Sequence, residues 1–141
     1  MHMPAGHTDG DSVVWFRGAN VIHMGDHLFV GGYPYIDVDN GGSVAGVMEN
    51  LSRVLAMVNS DTRVIPGHGA LSGIEAIEAA LQLVRDSALL IMRETEAGGS
   101  EEEIVSLLSS EFPEAGEGFI KPARWLSIVR ASRAARGNGD F

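Results

Sequence analysis

Three short segments of this sequence place candidate metal ligands beside glycine: His7-Thr8-Asp9-Gly10-Asp11, His23-Met24-Gly25-Asp26-His27 and Pro66-Gly67-His68-Gly69. Neutral imidazole nitrogen and carboxylate oxygen are the donors that zinc accepts from a protein without cysteine, and iron and manganese also suit such a set. Each segment follows or ends an apparent strand. A sheet holds such residues in place, while glycine lets the backbone turn tightly beside them. Taken singly, a histidine next to glycine is more often a surface-turn residue, so it is the set of three that carries weight.

The elements that must position these residues are read from hydropathy and turn signals. Ser12 to Phe16 is a short apolar run ending at a turn, Arg17-Gly18, and Asn20 to Met24 is a second strand. Gly25-Asp26 breaks that strand, and His27 to Val30 resumes it. Tyr33 to Gly42 has no period and reads as a loop. Ser43 then caps a helix running to about Val58, and Thr62 to Ile65 forms a strand that stops at Pro66. Beyond Gly73 the chain turns helical: Ile74 to about Ala97, a capping box of Ser100 with Glu103 opening a helix through Leu108, and a last segment over Phe119–Ala135 that starts near Pro122. The order β-β-α-β-α-α-α makes the class α/β, a single domain over 1–141. Its parts are a β-rich region over 1–73 that holds the metal motifs, a helical region over 74–135, and a frayed tail over 136–141. One small sheet with several helices needs something to cover its other face.

Composition excludes several classes of function. The formal net charge is −9, which argues against nucleic acid or an anionic membrane surface as partner. There is no cysteine, which removes disulfides, thiolate zinc sites and cysteine nucleophiles. No apolar run is long enough to span a bilayer. Met1-His2-Met3-Pro4 has no basic stretch followed by an apolar one, so a cytoplasmic location is the default expectation.

In their order and spacing, four stretches resemble the metallo-β-lactamase-fold superfamily of metal-dependent hydrolases, in particular its glyoxalase-like or cyclase-like group. They are Gly6 to Ser12, Val21 to Asp26, Tyr33 to Asp37 with Gly41-Gly42-Ser43, and Ile65 to Gly69. The resemblance implies half of an αββα sandwich, a small β-sheet covered by helices, followed by a helical C-terminal region. By position, it makes His7 the third histidine of a first zinc site, Asp26 the carboxylate shared between two metals, and His68 the histidine of the second site. The implied reaction is zinc-assisted hydrolysis of a small-molecule ester, thioester, lactone or lactam.

The superfamily's His-x-His-x-Asp-His segment, which supplies most of the metal ligands, occurs nowhere in the 141 residues. The resemblance is therefore to the C-terminal half of the domain, and two outcomes are open. In one, a homodimer formed through the exposed sheet face completes the site. In the other, the chain is an inactive, truncated relative that keeps the fold and the motif residues without turnover and binds metal weakly or not at all. A pure interaction module has only the acidic charge behind it.

Other polar residues carry plainer readings. His23 and His27 flank Asp26, but on an extended strand they share a side with each other and not with Asp26. Asp9 and Asp11 are placed to orient His7 by accepting its second ring N–H. An Asx-turn role suits Asp9 equally well, and Asp11 is favoured for the orienting role. Asp37 and Asp39 read as turn-capping or solvated residues. Lys121, Arg124, Arg130, Arg133 and Arg136 read as a solvated helix face.

Overall fold

β2 (Val21–Phe29) sets the architecture, because this central strand pairs with a partner on each side. The structure is a computed structural model and describes residues 1–137; the tail expected over 136–141 lies outside the described residues from 138 onward. β1 (Val14–Phe16) runs antiparallel to β2, with Val14 opposite His23 and Phe16 opposite Val21. β3 (Arg63–His68) runs parallel to β2, with Ile22 opposite Val64 and Phe29 opposite His68. A parallel neighbour requires a crossover of a dozen or more residues, and α1 (Val44–Leu55) lies within it.

Two strand boundaries differ from the sequence reading. Gly25 does not break β2: it takes φ +54°, a conformation that glycine adopts without penalty, and the ladder continues past it with a register shift. Pro66 does not end β3 either. It lies opposite Gly25 on an edge strand, where a missing N–H can be tolerated. The strand therefore carries on to His68.

Helices cover one face of the sheet. Ser43 caps α1 by accepting from the Gly46 N–H, as its position suggested, and the helix ends at Leu55, short of Val58. α1 packs against α2 (Ile74–Glu96), and both rest on the face where Ile22 and Val64 are fully buried. α3 (Glu101–Glu111) opens on the expected capping box of Ser100 and Glu103 and continues one turn past Leu108. α4 (Pro113–Glu117) is a short helix that the sequence did not announce. α5 (Pro122–Ala135) buries Trp125, Ile128 and Val129, and the Trp125 indole N–H donates to Ser87 Oγ on α2 at 2.9 Å. The basic residues of α5 are not simply solvated. Arg133 pairs with Glu96 of α2 at 2.7 Å, and Arg130 lies 3.7 Å from Glu101 of α3.

The other face of the sheet is different. Val14 and Phe16 are 51% and 54% exposed, and the register sets Val14 beside His23, which pairs in turn with Ile65. Among the described residues, no helix is long and apolar enough to cross a membrane.

Candidate metal centre

The three histidine and aspartate positions singled out from the sequence meet at one end of the β2–β3 pair. Asp26 stands between the two histidines: its Oδ2 is 3.7 Å from His7 Nε2, and its Oδ1 is 3.4 Å from His68 Nε2. Each element has a local reason for delivering its side chain there. The bulge at Gly25 turns Asp26 out of the strand's regular alternation. Gly67 on β3 leaves room for it, since a Cβ there would lie 2.6 Å from Asp26 Oδ1 and 2.4 Å from the Gly25 carbonyl oxygen. His68 is oriented by Phe29, whose ring is stacked on the imidazole.

His7 is held from the backbone. Its carbonyl accepts from the Asp37 N–H at 2.8 Å, and its Nδ1 lies 2.9 Å from the Tyr35 carbonyl oxygen. A carbonyl only accepts, so Nδ1 carries the proton and Nε2 turns its lone pair toward Asp26 in the neutral ring. Just upstream, the Ser43 N–H reaches the Ala5 and Gly6 carbonyls at 3.0 and 2.9 Å, and Ser132 Oγ on α5 accepts from the Val44 N–H. The helical region is thereby tied to the loop that carries His7.

The plainer candidates divide. His23 is exposed, and its Nδ1 accepts from the Gly25 N–H at 3.0 Å, a local turn contact. His27 is buried, so the two histidines do not share a side of the strand: the bulge between them breaks the alternation on which that expectation rested. Burial lowers the pKa of His27 below the usual histidine value, against the opposing pull of the Asp11 carboxylate, whose Oδ2 is 3.3 Å away. Asp11 does not orient His7. It accepts instead from the Thr8 N–H and hydroxyl, at 3.0 and 2.6 Å. The side chain that turns the loop is Thr8, not Asp9, because Thr8 Oγ1 accepts from the Gly10 N–H. Asp37 caps a turn as expected, accepting from the Asn40 side chain at 2.8 Å. Tyr35 and Phe29 escaped the sequence reading because one acts through its backbone carbonyl and the other through the face of its ring. Neither contact leaves a mark in residue chemistry.

The separations bear on what the trio can hold. Donor atoms about 2.1 Å from a tetrahedral ion stand roughly 3.4 Å apart, whereas a charge-assisted hydrogen bond would close to about 2.8 Å. Both gaps at Asp26 are of the first kind. Donor types and separations therefore fit a zinc-class ion on either side of the carboxylate. Donor number falls short, since a catalytic zinc takes three protein ligands. Among the described residues, no group of three or more His, Asp or Glu side chains is arranged to hold one ion. The trio is two pairs that share a carboxylate.

No family model matches the sequence, and no curated protein matches it either. Solved structures do match its fold. VMB-1 superposes with a TM-score of 0.54 at 18% identity, over 62% of this chain and 40% of its own. A metallo-β-lactamase from Pontibacter korlensis gives 0.53 at 15% identity, over 60% of this chain and 40% of its own. The DIM-1 metallo-β-lactamase exposed to ceftazidime gives 0.53 at 20% identity, over 62% of this chain and 40% of its own. The fold is part of a metallo-β-lactamase fold. The chain spans about 40% of the length of these structures.

Proposed function

We propose that this chain belongs to a metal-dependent hydrolase, in which His7 and Asp26 hold one zinc-class ion and Asp26 and His68 a second. The observation that carries this reading is the position of Asp26, one oxygen toward each histidine, with His7 Nε2 left free by the proton on Nδ1. A zinc ion bound there supplies a water with its pKa lowered to about 7 and a Lewis acid for a scissile carbonyl. The residues of the chain supply orientation: the Tyr35 carbonyl fixes the His7 tautomer, Phe29 fixes the His68 ring, and the Gly25–Gly67 contact fixes Asp26. The glyoxalase-like group is the family assignment favoured, on the sequence stretches already named. Thioester, lactone, lactam and other ester substrates remain equal within it.

Two donors per ion require a source for the rest, and the open sheet face suggests one. A second copy of the chain packed on Val14 and Phe16 would cover the apolar side chains that this face leaves half-exposed. The second copy carries its own set of these donors. The shortage of donors supports a second reading, an inactive relative that keeps the motif residues without turnover.

Calorimetric titration of the full, chelator-treated chain with zinc tests the proposal, together with hydrolysis of a thioester, a lactone and a nitrocefin-type lactam in the presence of zinc. Saturable zinc binding that weakens at least tenfold in Asp26→Asn, with turnover lost in His68→Ala, is the expected result. A folded chain that takes up no zinc would sink the metal reading. Zinc uptake with no turnover on any of the three substrates would favour the inactive relative.

A further inference from the structure

α2 and α5 are tied together at two places along their length. The Trp125 indole N–H donates to Ser87 Oγ at 2.9 Å, and Arg133 pairs with Glu96 at 2.7 Å. Both ties advance toward the helix C-termini, so the stretches between them face each other. A pocket of about 230 Å³ lies there, lined by Ile91, Met92 and Thr95 of α2 and by Val129, Arg130 and Arg133 of α5. Within each helix these residues stand three or four apart, the spacing of a single face. Ile91, Met92 and Val129 are buried and give the pocket an apolar wall.

The polar side of the pocket is short of acceptors. Among the described residues, six buried side-chain polar atoms have no hydrogen-bond partner, and three of them belong here: Thr95 Oγ1, Arg130 Nε and Arg133 Nε. Buried donors are normally satisfied, so three unpaired ones at one place call for an acceptor. Arg133 donates to Glu96 from one terminal nitrogen, Nη2. Glu101 stands 3.7 Å from Arg130 Nη1, an ion pair beyond hydrogen-bond distance. Both glutamates are exposed, whereas both arginines are half-buried.

We propose that this pocket binds a small organic carboxylate with a short apolar body. A guanidinium presents a planar fork of N–H donors that matches the two oxygens of a carboxylate, and Thr95 adds a hydroxyl. The apolar wall favours an organic acid over inorganic phosphate. A cavity smaller than the usual drug-sized site limits the body to a few carbons. Glu96 and Glu101, on a chain of net charge −9, compete for the guanidinium groups and keep the affinity modest. The pocket shares no residue with the His7–Asp26–His68 centre and requires no metal, so it stands independently of the hydrolase reading.

The test uses the full, chelator-treated chain and three probes: pentanoate, its neutral isostere pentanamide, and inorganic phosphate. Calorimetry is expected to show saturable binding of pentanoate, at least about tenfold tighter than either of the others, because a charged acceptor makes the stronger hydrogen bonds to arginine. Arg130→Gln keeps a polar side chain at a half-buried position while removing the charge. It is expected to weaken pentanoate binding at least about tenfold, with an unchanged circular dichroism spectrum. Thr95→Val removes the hydroxyl at nearly constant shape and is expected to weaken it several-fold. Glu101→Gln releases Arg130 from its ion pair and is expected to tighten pentanoate binding, a response that a purely structural Arg130 would not give. Pentanoate that fails to bind, binds no better than pentanamide, or binds the parent chain and Arg130→Gln equally would overturn the site. Phosphate bound as tightly as pentanoate would overturn the assignment of an organic ligand.

Discussion

Phe29 lies stacked on His68, with 4.3 Å between ring centroids and 18° between ring planes. The two residues are also register partners across the parallel β2–β3 ladder, so the ring that aims the histidine is fixed by the same strand pairing that delivers it. Hydrogen-bonded partners that orient a metal-ligating histidine typically contribute about 10- to 100-fold in metal affinity, and a stacked ring constrains the same orientation at the lower end of that range. Phe29→Leu keeps a large apolar side chain in a buried position while removing the flat face. The expected outcome is zinc affinity about tenfold weaker by calorimetry, with a stability loss below about 2 kcal/mol in a denaturant melt. Unchanged zinc affinity would mean that the stack is packing alone.

The open sheet face gives the next expectation. Val14 and Phe16 project from the same side of β1, opposite the buried Ile22 layer. If a second copy covers them, the chain is a dimer at micromolar concentration by light scattering after gel filtration. The paired substitution Val14→Lys and Phe16→Lys is then expected to give a monomer with the same circular dichroism spectrum, because neither residue supports the helical side of the core. A monomeric unsubstituted chain would remove the second copy as the source of the missing donors.

What the sequence made legible follows the range of the interactions concerned. The Ser43 and Ser100 caps, the start of α5 at Pro122 and the stripe of Trp125, Ile128 and Val129 are set by neighbours within a turn or two, and all were read correctly. His7, Asp26 and His68 were named from motif order, and the fold brings them together. The misreadings cluster where a distant backbone overrides a local rule. Gly25 and Pro66 look like strand breakers in isolation, yet they lie opposite each other across the ladder, and the pairing carries both strands through. The same bulge put His23 and His27 on different sides. Asp11, favoured over Asp9 for orienting His7, stands near it in sequence, whereas the carbonyl that holds His7 comes from Tyr35, 28 residues away.

Tyr33 makes stability sensitive to alkaline pH. Its ring stacks on Trp125 at 5.3 Å, its hydroxyl is buried without a hydrogen-bond partner, and burial pushes its pKa from 10.0 up to about 12. The folded state thus holds the phenolic proton more tightly than the unfolded state. The stability this contributes is complete below pH 10 and is lost as pH rises from 10 toward 12, reaching roughly 2–3 kcal/mol at the far end. Tyr33→Phe keeps the stack and removes an unsatisfied hydroxyl, so stability at pH 7 is expected to stay within about 1 kcal/mol of the original or to rise. In thermal melts from pH 7 to pH 11, the decline above pH 10 is expected to be shallower in the variant. Parallel declines would show that Tyr33 does not carry the alkaline loss.

Gly67 is where the fold and the candidate centre meet in one atom. A methyl group there would stand 2.4 Å from the Gly25 carbonyl oxygen and 2.6 Å from Asp26 Oδ1, distances that no rotamer change at position 67 can relieve. Gly67→Ala must therefore separate β3 from the bulge of β2, turn the Asp26 carboxylate away, or both. Overpacking of this kind typically costs about 1–3 kcal/mol, which a denaturant melt resolves. Zinc affinity is expected to fall further than the stability loss alone would explain, because Asp26 is the donor common to both pairs. A control separates the two effects: Ser100→Ala removes a helix cap far along the chain, costs about 1 kcal/mol, and is expected to leave zinc affinity intact. Equal zinc binding by the two variants, at matched stability, would mean that the approach of Gly67 to Asp26 matters to the strands and not to the metal.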